Sequence, residues 1–181
     1  PAAGVVAASE LSKQKNIKKA ITLDIGGTTA KTAIIENFEP SRTGEYEVGS
    51  GINLSSKLTR GAGYAVKLPF IDISEIGAGG GSIVWFDEGG LLKVGPESAG
   101  SDPGPIAYDK GGKNITLTDA NIVTGILNSN SLLGGSMKIK GDLSKSKLNS
   151  LISKKLKMSV YDTANGIIKI AVGNMVRAVK S

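Results

Sequence analysis

Glycine clusters between short apolar runs limit what the first two thirds of this sequence can fold into. The 181 residues include 25 glycines, many of them gathered in stretches such as "DIGGTTAK", "IGAGGGS" and "VGPESAGSDPGP". The runs between these stretches are rich in β-branched residues, which favour strands. Strands separated by tight turns predict an antiparallel or mixed sheet rather than alternating strand–helix–strand units. Several clusters also contain Asp, Ser or Thr, which is typical of a ligand-facing edge.

The apolar patterns predict strands first and helices later, after one helix at the start. "AITLDIG" and "AKTAIIE" are expected to form a hairpin, and "SIVWFDEGGLLKVG" a second one around Glu88, Gly89 and Gly90. The other elements expected before residue 100 are a helix at 2–12, a strand at 44–48, a mobile loop at 49–63 and an extended pair at 64–76 broken at Pro69.

Helical signals dominate the end of the chain. Thr116 or Thr118 is expected to cap a short helix, "DANIVTGILN", and Asp142 to cap a helix at 143–157. Ser159 is predicted to cap the last helix, whose apolar positions fit a 3.6-residue repeat: Val160, Ala164, Ile167, Ile168, Ala171, Val172, Met175, Val176 and Val179. The sequence therefore predicts a mixed α/β fold, with a glycine-rich, β-dominated part at 1–127 and a helical part at 128–181.

Composition restricts the available chemistry. The sequence has no Cys and no His, so thiol chemistry, the usual proton shuttle and the commonest transition-metal ligand are excluded. Catalysis would have to use carboxylates, hydroxyls, lysines, backbone amides or a hard cation bound by oxygen. The net charge is +6, but aromatic residues are only 4% of the chain and do not interleave with the lysines, so no nucleic-acid partner is expected. No apolar run approaches the roughly 18 residues of a membrane span, and no signal peptide is evident; we expect a cytoplasmic protein.

"DIGGTTAK" fits neither the P-loop pattern nor the dinucleotide-binding fingerprint, since an apolar strand follows it. Its residues nevertheless suit an anion. The amides of Gly26 and Gly27 can approach phosphate oxygens closely, Thr28 and Thr29 offer hydroxyl donors, and Asp24 could hold a hydrated Mg²⁺. The alternative is an ordinary hairpin turn in which Asp24 bonds local amides. The residues alone leave both interpretations open.

Two later glycine stretches are further candidates. "IDISEIGAGGGSIVW" places Asp72 and Glu75 before a glycine turn, and its alternative is a flexible loop between edge strands. "VGPESAGSDPGP", with three prolines and three glycines, resists helix and sheet. It presents Ser98 and Asp102 on a stiff loop, whose alternative is a purely structural role.

"TLDIGGTTAK", "IGAGGGSI" and "VGPESAGSDPGP", together with "PAAGVV" at the start and "GIIKIAVGNMVRAV" near the end, resemble the hydantoinase A / 5-oxoprolinase family. The resemblance covers nearly the whole chain. It implies an actin-like ATPase fold of the ribonuclease H-like kind, in which phosphate loops are Asp-containing β-hairpins. It also implies that the chain is the central piece of a longer subunit, inactive when isolated. Ala107 stands where the family often has Cys.

By resemblance, the complete enzyme uses ATP and Mg²⁺, or another divalent cation, to phosphorylate and open a cyclic amide such as 5-oxoproline or a hydantoin. One alternative is the ATP-using subunit of an acetone- or acetophenone-type carboxylase. The other alternative is a non-enzymatic, actin-like nucleotide-binding module. The implied partners are a cyclic-amide substrate and a hydantoinase B-type subunit, with a homo-oligomer left open, and no nucleic acid or membrane.

The resemblance also implies residue roles. The predicted nucleotide-binding residues are Gly26, Gly27, Thr28, Thr29 and Lys31 on the phosphates, with Gly79, Gly80, Gly81 and Ser82 lining the nucleotide or substrate cleft. Lys31 has the alternative of pointing to solvent. Asp24 is the predicted metal ligand through water, Asp72 a second carboxylate, and Asp102 part of the far wall with Ser98 and Gly104. The candidate catalytic carboxylates are therefore Asp24, Asp72 and Asp102.

Overall fold

The computed structural model describes residues 1–44, 46–48, 64–66 and 68–180; the predicted loop at 49–63 lies outside them. The strands are β1 (Lys19–Ile25), β2 (Ala30–Glu36), β3 (Glu39–Pro40), β4 (Arg42–Thr43), β5 (Tyr46–Val48), β6 (Tyr64–Val66), β7 (Phe70–Ile71), β8 (Ser74–Ile76), β9 (Ser82–Phe86), β10 (Leu92–Ser98), β11 (Ser131–Leu132) and β12 (Met137–Lys138). The α-helices are α1 (Ala2–Lys15), α2 (Leu117–Val123), α3 (Gly141–Leu148), α4 (Lys154–Leu156) and α5 (Val160–Lys180).

The chain divides into two compact units. The first comprises 1–24, 30–76 and 177–181, and the second comprises 25–29 and 77–176. The predicted parts, 1–127 and 128–181, follow secondary structure, whereas the compact units follow tertiary contacts. Within the described part of the chain, every helix is too short or too polar to span a membrane.

The first unit is built around β2. This strand neighbours β1, pairs antiparallel with β8 at its start (Ala30↔Ile76) and with β3 at its end (Ile35↔Pro40). Its residues Ala30, Ala33 and Ile35 are buried, with Ile35 fully enclosed, whereas Ile34 is exposed. The predicted strands at 20–26 and 30–36, and the hairpin that joins them, are confirmed. The predicted helix at 2–12 is also confirmed and continues to Lys15, with Asn16 in the left-handed conformation that ends it.

The second unit contains the hairpin of β9 and β10 and most of the helices. The strands pair antiparallel (Leu92↔Phe86), with an irregularity between Val94 and Ser98. The predicted turn around Glu88, Gly89 and Gly90 is confirmed. A core cluster of this unit joins Ala107, Ile122 and Ile139. This packing fixes α2, which reaches the candidate site described below.

Helix boundaries show where local signals succeed and fail. Thr116, not Thr118, caps α2 through Asp119 N–H. The helix ends at Val123 rather than near 128, because Gly125 adopts a left-handed φ of +80°. Asp142 does not cap the next helix; α3 begins at Gly141 without a side-chain cap, and Asp142 lies in its first turn.

The predicted helix at 143–157 is interrupted by a π-helical turn at Asn149–Ser153, and α4 ends at Leu156. The cap at Ser159 is confirmed, since its hydroxyl accepts from Asp162 N–H at 3.1 Å. The apolar face predicted for the last helix is confirmed at four buried positions of α5: Ala164, Ile167, Ala171 and Met175. By contrast, Val172 and Val176 are 49% and 44% exposed. The predicted mixed α/β class, with antiparallel strands followed by C-terminal helices, is confirmed.

Candidate functional site

The turn between β1 and β2 presents free backbone donors to solvent. One hydrogen bond, from Gly26 N–H to Thr29 C=O at 2.9 Å, closes it, which leaves Gly27 and Thr28 as an exposed tip. Among the residues that the structure describes, the backbone N–H groups of Gly27 and Thr28 have no hydrogen-bond partner. The tip therefore offers two adjacent donors to a ligand.

The carbonyl groups that share peptide planes with these two amides, those of Gly26 and Gly27, are already engaged. Gly80 N–H donates to Gly26 C=O at 3.0 Å, and Gly81 N–H donates to Gly27 C=O at 2.6 Å. These tip peptides are trans, so each C=O and the following N–H lie in one plane and point in opposite directions. The N–H groups of Gly27 and Thr28 therefore point away from the 79–81 loop. Because these two amides are free while the carbonyls of Gly26 and Gly27 are bonded, the face of the tip that carries the amides suits an anion.

The glycines of the two loops meet different surroundings. A Cβ added to Gly79 would lie 2.6 Å from Thr28 C and 2.7 Å from both Gly26 O and Gly27 C. A Cβ on Gly81 would lie 2.7 Å from Ser98 Oγ. By contrast, a Cβ on Gly27 would meet no atom within 4 Å. The backbone of the protein itself thus requires glycine at 79, and Ser98 Oγ and Gly27 O crowd any side chain at 81, whereas the backbone at 27 leaves room for an external group.

Hydroxyl groups border the tip. Thr28 Oγ1 lies 3.4 Å from Ser98 Oγ, and Ser98 Oγ accepts from Gly100 N–H at 3.1 Å. Asp102 is exposed on the same 99–104 loop. Two hydroxyls beside two free amides form a neutral donor set of the kind that binds phosphate oxygens.

Ser82 occupies a supporting position. Its side chain is fully buried, and its hydroxyl accepts from Gly79 N–H at 2.9 Å. This bond holds the turn of the 79–81 loop. Ser82 therefore shapes the 79–81 loop, which in turn bonds the turn that carries the tip, and its own hydroxyl is buried.

Asp119 is an important residue that the sequence analysis did not single out. Its carboxylate is fully buried and accepts from three backbone N–H groups, those of Ile106, Ala107 and Thr116. It also accepts from the hydroxyls of Thr116 and Ser144. Asp119 thus joins α2, α3 and the segment after the 99–104 loop. The Thr-x-x-Asp spacing of a capping box was the available signal.

Three predicted site residues belong to the first unit. Asp24 is exposed near the end of β1. Lys31 Nζ forms an ion pair with Glu75 Oε1 at 2.9 Å, both being partly buried. Asp72 Oδ1 is buried without a hydrogen-bond partner among the described residues.

The carboxylates of the described residues do not form a metal-binding cluster. Within residues 1–44 and 68–180, no group of three or more Asp and Glu side chains could hold a metal ion. Mg²⁺ at phosphate sites commonly uses one or two carboxylates and completes its shell with water and phosphate oxygens. A single exposed carboxylate such as Asp24 fits that requirement.

The model of the hydantoinase/oxoprolinase family matches residues 1–181. An uncharacterised protein of Methanocaldococcus jannaschii is 46% identical over 180 residues, which cover 99% of this chain and 26% of that protein. The caprolactamase alpha subunit of Pseudomonas jessenii is 35% identical over 180 residues, 99% of this chain and 24% of that subunit.

Two solved structures share the fold. The crystal structure of the ATP-dependent caprolactamase from Pseudomonas jessenii matches with a TM-score of 0.79 at 34% identity, covering 99% of this chain and 24% of that chain. A nucleotide-free acetone carboxylase structure matches with a TM-score of 0.77 at 28% identity, covering 92% of this chain and 22% of that chain. The chain thus spans about a quarter of the length of these relatives. The match over the whole chain confirms the resemblance seen in the sequence: the chain belongs to the hydantoinase/oxoprolinase family.

Proposed function

We propose that this chain supplies a phosphate-binding element of an ATP site in an enzyme that opens cyclic amides. The observation that carries the proposal is the tip at Gly27 and Thr28, whose amides are exposed and unpaired among the described residues, while the carbonyls of Gly26 and Gly27 are bonded to the 79–81 loop. The similarity to an ATP-dependent caprolactamase supports ATP as the ligand and a lactam or hydantoin as the substrate class.

The roles of individual residues follow from their contacts. Gly27 and Thr28 N–H bind phosphate oxygens, and the hydroxyls of Thr28 and Ser98 add donors beside them. Asp24 holds Mg²⁺, or another divalent cation, through water. When bound, ATP would supply a phosphoryl group to the amide oxygen, which makes the ring carbon a better target for water.

Four other predicted residues keep secondary roles. Lys31 remains a proposed phosphate partner in competition with Glu75, to which it is ion-paired. Asp72 remains a proposed second carboxylate, supported by its buried oxygen, which has no hydrogen-bond partner among the described residues. Thr29 closes the turn through its carbonyl, and Asp102 is proposed for the far wall.

Partner and location belong to the same proposal. The caprolactamase relative is named as an alpha subunit, which supports an enzyme assembled from different subunits. We therefore expect a hydantoinase B-type partner, while a cytoplasmic location stays a prediction from the sequence.

A carboxylase role is the second candidate, favoured by the match to acetone carboxylase. In that reaction, a ketone or enol oxygen replaces the amide oxygen as the phosphoryl acceptor, and the tip would serve both chemistries equally. The complete subunit with its partner should be assayed for ATP-dependent opening of 5-oxoproline, caprolactam and hydantoins, and for ATP-dependent bicarbonate fixation onto ketones. Fixation without ring opening would replace the first proposal by the second.

Replacing Gly27 by Ala tests the phosphate-binding element itself. The new methyl group enters open space, so the fold should persist while a phosphate oxygen loses its approach to the amides. We expect ATP to bind about tenfold more weakly or worse, measured by calorimetric or NMR titration. Gly166→Ala in α5 is the matched control, since its added Cβ also meets no atom within 4 Å. Equal ATP affinity in Gly27→Ala and wild type would refute the assignment.

A further inference from the structure

We infer that Thr118 is a positioning residue that orients and polarises the N–H of Thr28 through two intervening peptide units; the inference rests on the proposed function. Thr118 donates twice to Gly80 C=O, from its backbone N–H at 2.8 Å and from Oγ1 at 2.9 Å. The residue is only 7% exposed, so water cannot readily replace the hydroxyl donor.

The hydrogen bonds form a directional relay. Gly80 C=O shares a peptide plane with Gly81 N–H, and Gly81 N–H donates to Gly27 C=O at 2.6 Å. Gly27 C=O in turn shares a plane with Thr28 N–H, which is left exposed at the tip. Hydrogen bonds in such a chain polarise one another in the same direction. The two donors of Thr118 therefore make Thr28 N–H a better-oriented and stronger donor.

The neighbouring amide belongs to a separate relay. Ser82 N–H donates to Gly79 C=O at 3.0 Å, and Gly80 N–H, in the same peptide unit as that carbonyl, donates to Gly26 C=O at 3.0 Å. Gly26 C=O shares its plane with Gly27 N–H. Thr118 is not a link in this second chain. Its removal should therefore affect Thr28 N–H more than Gly27 N–H, a selectivity that general destabilisation would not produce.

The start of the relay is firmly held. Thr118 lies in the first turn of α2, which begins at the reciprocal cap of Thr116 and Asp119. The Asp119 carboxylate also binds the amides of Ile106 and Ala107. Because these buried bonds anchor α2, the hydroxyl of Thr118 is held in a fixed position next to Gly80 C=O.

The test compares Thr118→Val with Thr118→Ser in the 181-residue chain, using ¹⁵N-resolved NMR and ATP as the probe. In the absence of ATP, Thr118→Val should move the amide proton resonance of Thr28 upfield and leave that of Gly27 nearly unchanged. It should also weaken ATP binding roughly three- to tenfold. Thr118→Ser should restore both values. Thr124→Val is the matched control, since that hydroxyl bonds Ala120 and Asn121 carbonyls at the other end of α2.

The outcomes separate the inference from the proposed function. If the amide shifts of Gly27 and Thr28 in the wild type do not respond to ATP, the proposed function is refuted. The amide shifts of the Thr118 variants measured without ATP would still test the relay. A Thr28 shift in free Thr118→Val equal to that of wild type would overturn the inference. Equal displacement of Gly27 and Thr28 would overturn it too, because it would show general loosening without a directed relay.

Discussion

Replacing Gly79 by Ala should destabilise the second unit because its added methyl group has nowhere to go. The nearest atoms, Thr28 C at 2.6 Å and Gly26 O and Gly27 C at 2.7 Å, are all backbone. Carbon atoms normally pack at about 3.5–4.0 Å, so the loop and the tip must separate by close to 1 Å. Overpacking of this kind costs about 1–3 kcal/mol. The separation also strains the bonds from Gly80 and Gly81 to the tip, each contributing about 0.5–1.5 kcal/mol. Together these effects predict a loss of about 2–4 kcal/mol in the free energy of unfolding.

Urea unfolding measures this loss. Trp85 is the sole tryptophan of the sequence and lies on β9 of the second unit, with its indole N–H bonded to Gly95 C=O at 2.8 Å, so its fluorescence reports that unit. The matched variant is Gly27→Ala, whose methyl group meets open space and should change stability by less than about 0.5 kcal/mol. If Gly79→Ala and Gly27→Ala unfold at the same urea concentration, the steric reasoning is wrong.

Three further predictions concern buried and charged groups. Asp119→Ala should cost more than about 3 kcal/mol in urea unfolding, because three buried N–H groups lose their acceptor; the exposed Asp142→Ala is the control, and similar losses in both would contradict this. The N–H of Leu91 and, secondarily, the ammonium of Lys93 lower the pKa of Asp87 below its usual 3.8. A lowered folded-state pKa means that this group stabilises the protein above the unfolded pKa and that the contribution is lost as pH falls through the folded pKa; an NMR titration of the Asp87 carboxyl with its midpoint at or above 3.8 would refute the shift. Ile167→Ala, at a fully buried site on α5, should cost about 2–5 kcal/mol by thermal or urea unfolding, and a cost below about 1 kcal/mol would show that the site collapses around the smaller side chain.

The hairpins were predictable because their signals are local. Alternating β-rich runs and a glycine turn specify β1, β2, β9 and β10 within a few residues of their observed bounds. The free donors at the tip were predicted only in part. The sequence suggested the amides of Gly26 and Gly27, but Gly26 N–H bonds Thr29 C=O, and the free pair is Gly27 and Thr28. A turn shifted by one residue has the same composition, so the sequence could not distinguish the two.

The supporting residues were harder to predict because their partners are distant in sequence. Ser82 follows a glycine run and was predicted to line the cleft, yet its hydroxyl is buried and accepts from Gly79 N–H. Thr118 was considered only as a cap, and its contact with Gly80 joins segments that no local pattern links. The prediction that Asp142 caps a helix was wrong, since α3 starts at Gly141, one residue before Asp142, and has no side-chain cap. Which peptide groups meet across loops depends on tertiary packing, which periodicity and turn chemistry do not encode.

The two glycine loops need glycine for different reasons, and this changes how loss-of-function variants should be interpreted. Glycines in a phosphate loop are usually explained by the close approach of a ligand. At Gly79 the protein's own backbone atoms already exclude a side chain, and at Gly81 the Ser98 hydroxyl and the Gly27 carbonyl oxygen crowd one, so loss of activity on substitution there would be no evidence of ligand contact. At Gly27 the protein imposes no such restriction. Loss of ATP binding in Gly27→Ala with unchanged stability would therefore isolate the ligand's requirement from that of the fold.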